Sequence, residues 1–187
     1  MNPQTWWYMS RASGMVAWMV LGATCLWGVL LTTRMLKPAD RPAWLLDLHR
    51  WLGALAVVTT GLHLGALVAD NYTHFGWREL FVPQASAWKR GAVTWGVIGL
   101  YLMAVVQLTS LVMKRLPRRL WHAVHMLSYV LFAMVTVHGV LAGTDATNVI
   151  FVAVAGGGTA IVAFVFIARV LQGRAKRIVR AQANAAR

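Results

Sequence analysis

Five of the six histidines in this 187-residue chain, His49, His63, His122, His125 and His138, lie inside or at the ends of long apolar runs, where an imidazole is costly unless something binds it. His49 and His63 are fourteen residues apart. On a helix this is a rise of about 21 Å with an azimuthal offset of only about 40°, so the two rings share one face at opposite ends of a membrane-length segment. His125 and His138 are thirteen apart in a second run. Their rise is about 19.5 Å, but a straight helix turns them about 140° away from each other. That run must therefore tighten locally, or the two rings must serve groups held at different angles. Using His122 instead gives an offset near 160° and a poorer level match to His49, so His122 is read as a supporting or membrane-surface residue.

Two apolar runs separated by one antiparallel helix cross in the same direction. His49 then shares a level with His125, and His63 shares one with His138. A lone intramembrane histidine is ordinarily an interhelical hydrogen bond or a proton-relay element. Four in two level-matched pairs describe stacked bis-imidazole sites, for which haem iron is the natural occupant. Two axial histidines saturate that iron, leaving no position for binding oxygen, so such a site moves electrons rather than making bonds. A proton-coupled transporter is disfavoured because no intramembrane carboxylate or broken helix accompanies the histidines.

The surrounding chain supplies the elements these residues need. It is 59% hydrophobic and 12% charged, with a mean hydropathy of +0.59. An integral membrane protein follows, all-α, because helices and closed barrels alone satisfy backbone groups in lipid. Five spans are expected, at 14–33, 44–69, 91–113, 120–143 and 148–168, in an up-and-down bundle forming a single domain over 1–187. The first is too long for a signal-peptide core and has no Ala-x-Ala site after it. The net charge of +13 does not indicate nucleic acid, since the lysines and arginines fall in the gaps between apolar runs. Fourteen of the eighteen lie on one side: Arg34, Lys37, Arg41 and Arg50; Lys114, Arg115, Arg118 and Arg119; and six from Arg169 onward. Positive charge retained on the inside predicts an external N-terminus and a cytoplasmic C-terminus. The 70–90 connection is long and aromatic and is expected to fold over the outer mouth with a short interfacial helix. The basic tail, 169–187, should begin as a helix at the inner headgroups. Trp6, Trp7, Trp44, Trp88 and Trp121 suit interfacial belts. Gly156, Gly157 and Gly158 favour close helix approach. Cys25, the single cysteine, cannot form an intrachain disulfide.

The two histidine spacings, together with Trp-Tyr-Met-Ser-Arg-Ala-Ser-Gly14, Phe-Gly-Trp-Arg in the outer loop and Leu-Pro-Arg-Arg-Leu-Trp before the fourth span, resemble the ferric reductase-like transmembrane domain family. That family includes the membrane cores of NADPH oxidases and ferric reductases and the haem-binding subunit of bacterial methionine sulfoxide reductase. The resemblance implies two b-type haems, His49/His125 holding the inner and His63/His138 the outer. Haem propionates need cations or water. Candidates are Arg50, Arg118 and Arg119 for the inner haem, and Arg11, Arg78, Lys89 and Arg90 for the outer, with Tyr72 and His74 as hydrogen-bonding groups. Arg11 and Arg78 are favoured. His74 could instead mark an acceptor or metal-ion contact. No flavin or nicotinamide motif follows the fifth span, so a cytosolic flavin reductase or membrane quinol is the expected donor. The expected activity is electron transfer across a plasma membrane, by extension a bacterial inner membrane. The acceptor would be ferric iron, oxygen, a quinone or a periplasmic redox protein. The alternative is a non-catalytic haem-binding anchor subunit of an oxidoreductase complex.

Overall fold

The computed structural model describes residues 4–33, 42–70, 75–144 and 147–185. Seven α-helices account for nearly all of them: α1 (Thr5–Thr33), α2 (Pro42–Ala69), α3 (Trp77–Phe81), α4 (Arg90–Leu111), α5 (Arg118–Met126), α6 (Ser128–Ala142) and α7 (Val149–Ala185). Five spans are long and apolar enough to cross a membrane, α5 and α6 together making one of them. The protein is a multi-pass helical membrane protein.

Three boundaries differ from those expected. α1 begins at Thr5, so Ser10 and Arg11 are helical rather than part of a leading segment. The fourth span is broken at Leu127, whose N–H donates to the Val124 carbonyl at 3.0 Å in a tight i→i−3 turn. This is the tightening that the thirteen-residue histidine spacing demanded: His125 lies on α5 and His138 on α6, so one straight helix need not serve both. α7 continues for 37 residues into the basic tail without a break.

α1 is the organising helix and packs against α2, α6 and α7, while α4 packs against α5 and α6. Leu21, Cys25, Leu131, Phe132 and Val162, from α1, α6 and α7, bury one another midway between the two histidine levels. Trp18 of α1 stacks on Phe132 and donates its indole N–H to Thr136 Oγ1 at 2.8 Å, tying α1 to α6. Of the three consecutive glycines, only Gly158 admits a close neighbour: a Cβ there would lie 2.8 Å from the Trp18 ring.

Residues 75–89, before α4, form a structured cap. Gly76 N–H donates to Glu79 Oε2 at 2.9 Å to start α3, and Phe75, Leu80, Val93 and Val97 form a second buried cluster beneath it. Lys89 holds a left-handed conformation, φ 38°, and its Nζ donates to the carbonyls of Leu141, Ala142 and Gly143 at 3.1, 3.2 and 3.4 Å. A cation on orphan C-terminal carbonyls stabilises the helix end electrostatically. Lys89→Met is expected to destabilise the bundle by about 1 kcal/mol, measured as an earlier thermal transition in detergent.

Candidate bis-imidazole site

α2 does not pack closely against α5 or α6, yet its histidines meet theirs across the intervening cleft. The ring centroids of His49 and His125 are 5.9 Å apart with an interplanar angle of 67°, and those of His63 and His138 are 6.4 Å apart at 75°. His49 thus faces His125, and His63 faces His138.

The structure also supplies a feature that the histidine spacing alone did not reveal. His63 Nδ1 lies 2.8 Å from the Ser10 carbonyl, and His138 Nδ1 lies 2.8 Å from the Ala92 carbonyl. A carbonyl only accepts, so each Nδ1 carries the proton and each Nε2 keeps its lone pair on the opposite edge of the ring. Four residues after each acceptor stands a glycine. A Cβ on Gly14 would meet the His63 ring at 3.0 Å, and one on Gly96 would meet the His138 ring at 2.8 Å. The missing side chain is what lets the imidazole reach helix backbone. The arrangement recurs fourteen residues further along each helix. Gly28 of α1 faces His49, where a Cβ would lie 3.3 Å from the ring. Ser110 of α4 faces His125, with its Oγ 3.2 Å from Nδ1. The Ser110 hydroxyl donates its proton to the Val106 carbonyl at 2.7 Å, so it accepts from His125. At His49 the Thr24 carbonyl acts on the ring without reaching hydrogen-bond geometry, and Nδ1 is buried without a partner. The signal in the sequence was there: small residues at 14 and 28, and at 96 and 110, repeat the fourteen-residue interval of His49 and His63.

These donor sets suit haem. Two imidazoles bound through Nε2 to one iron, with bonds of about 2.0 Å, would have centroids about 6.3 Å apart, close to both observed separations. Among the described residues no cluster of three or more His, Cys, Asp or Glu could hold a bare metal ion; a haem would bring its remaining ligands with it. Ligating histidines also characteristically give their other N–H to a backbone carbonyl. Around His63 and His138 lies a cavity of about 540 Å³, within the usual range for a cofactor.

The other candidates divide by position. Arg11 is half-buried and lines this cavity with Glu79 and Trp88. Arg78 and Arg90 are exposed and absent from its wall. Lys89 is engaged with the end of α6. At the other level Arg118 and Arg119 are exposed, and Arg50 is an exposed partner of Asp47 at 3.5 Å. Tyr72 and His74 lie outside the described residues. His122 is exposed, beside Trp121. Two neighbours of His125 were not singled out for the site in the sequence. Trp121 stacks on its ring at 5.1 Å and 25°. Arg169 of α7, half-buried, donates to Tyr129 Oη at 3.1 Å and is near enough to act electrostatically on His125. Arg169 had been counted only as the first cation of the tail.

The fold defines a class, the multi-pass helical membrane proteins. The chain matches the family model for the ferric reductase like transmembrane component over residues 13–136, and it belongs to that family. Domains of this family generally bind haem. His49, His63 and His125 fall within the match and His138 lies two residues beyond it. Neither the curated proteins nor the solved structures yield a match to this chain.

Proposed function

We propose that the protein is a two-haem transmembrane conduit, with His49 and His125 ligating one b-type haem and His63 and His138 the other. The observation that carries this reading is the pair of facing imidazole couples, each separated by about the width of one ligated iron. Bound haem supplies reversible one-electron chemistry at iron; the protein supplies ligands, spacing and a low-dielectric path. Ser10 and Ala92 orient two of the rings, and Ser110 a third. Leu21, Leu131 and Phe132 exclude water between the levels. Arg11 is the propionate partner best placed at the His63/His138 level.

By the distribution of lysine and arginine, the His49/His125 level faces the cytoplasm of a bacterial inner membrane. A cytosolic flavin reductase or a membrane quinol loads that side. An acceptor outside, such as ferric iron, oxygen, a quinone or a periplasmic redox protein, takes the electron. Vesicles containing the purified protein, with ferricyanide trapped inside and a reduced flavin or a quinol supplied outside, test this directly. Trapped ferricyanide should be reduced only when the haem-loaded protein is present. Haems that are reduced but never pass electrons across the bilayer would support the anchor-subunit reading instead.

A further inference from the structure

The two levels are built on one plan but are chemically unequal. At His63 and His138 both Nδ1–H groups donate to carbonyls at 2.8 Å. At the other level His125 donates to a hydroxyl at 3.2 Å, and among the described residues no acceptor lies within hydrogen-bond geometry of His49 Nδ1. A strong acceptor on Nδ1 makes an imidazole more basic and stabilises the higher oxidation state of the metal it ligates. A weak acceptor or none does the reverse. The nearby charges act in the same direction. Arg169 reaches the His49/His125 level from α7 with a neutral phenol as its hydrogen-bond partner. At the His63/His138 level the cavity wall combines Arg11 with the carboxylate of Glu79. An uncompensated cation favours the state with one more electron. The other charges on that side among the described residues, the Arg50–Asp47 pair and the exposed Lys114, Arg115, Arg118, Arg119 and Arg174, add no net negative charge.

Resting on the haem reading above, we propose that Ser110 and Arg169 are positioning residues that give the His49/His125 site the higher of two reduction potentials. The first electron to enter the protein, reducing one ferric iron to ferrous, then rests on that level. The plan explains why Ser110 stands where the other three sites have glycine. Its hydroxyl relays the His125 proton to Val106 and weakens the acceptor that His125 meets.

Spectroelectrochemical titration of the purified, haem-loaded protein tests this with a readout independent of turnover. Two one-electron waves are expected, and a His63→Ala chain should keep the higher one. Ser110→Gly gives His125 access to the Val106 carbonyl and should lower that wave by up to about tenfold in its equilibrium constant, about 59 mV. Ser110→Ala leaves Nδ1 without an acceptor and should raise it. Opposite shifts from two small substitutions are not what a purely structural role produces. Arg169→Gln, at a residue that is not itself a ligand, should lower the same wave. Movement of the lower wave, or of neither, would overturn the potential order while leaving ligation intact. A folded chain without haem would overturn both proposals. At half-reduction, the ferric low-spin paramagnetic resonance signal that remains should vanish in His63→Ala; its loss in His49→Ala instead would also overturn the order.

Discussion

His63→Ala and His138→Ala are each expected to leave a folded chain with one haem fewer than the parent, and His49→Ala and His125→Ala are expected to do the same at the other level. The pairing makes this demanding. In the proposed arrangement each iron would draw one ligand from α2 and one from α5 or α6, across helices that are not closely packed on each other. Within a pair, either alanine should abolish the same spectral component, and the double substitution should remove no more than the single ones. Across pairs the losses should add, because about 20 Å of helix rise separates the levels. The effect on transmembrane transfer is not additive, since loss of either site interrupts the path. Pyridine-haemochrome counting and low-temperature spectra of the four single variants and two cross-level doubles supply the measurement. Loss of the same component in His49→Ala and His138→Ala would contradict the pairing.

Gly96→Val is the second large effect, and it tests the backbone logic without touching a ligand. A Cβ at Gly96 would lie 2.8 Å from the His138 ring, and valine adds two methyls to that clash. The ring must leave the Ala92 carbonyl, so overpacking, costing about 1–3 kcal/mol, is joined by loss of an orienting hydrogen bond. Removing such a bond typically costs ligation about 10–100-fold. Haem at the His63/His138 level should fall away while the other remains. Gly65→Ala is the control: nothing lies within 4 Å of a Cβ there. Replacing glycine inside a helix should be neutral or stabilising by about 0.5–1 kcal/mol. Haem content and thermal transitions of the two variants make the comparison; equal retention of both haems would refute the glycine argument.

The histidines were legible because an imidazole in an apolar run has few physical explanations, and their spacings fix their levels on a helix. The spans were legible for the related reason that lipid admits few backbone solutions. The break at Leu127 could be anticipated as a need, from the offset between His125 and His138, but its location could not. Glycines 14, 28 and 96 were hidden by their commonness: the chain has sixteen, and only a partner helix shows which of them meet a ring. Ser110 was hidden in the same way. Arg169 was masked by the basic residues that follow it, since a charge run is usually read as a solvated face. What separates it is the packing of α6 and α7, which brings Tyr129 to it. Lys89 shows the converse, a plausible propionate partner whose ammonium is engaged with three carbonyls at the C-terminal end of α6, those of Leu141, Ala142 and Gly143.

The central claim is that two imidazole pairs hold two haems, and haem stoichiometry with the optical spectrum of the purified protein tests it most directly. The expected result is two six-coordinate, low-spin b-type haems per chain, with no change in the ferrous spectrum under carbon monoxide because both axial positions are taken. A chain that purifies folded and competent in electron transfer without haem, or one whose haem is high-spin and binds carbon monoxide, would contradict it.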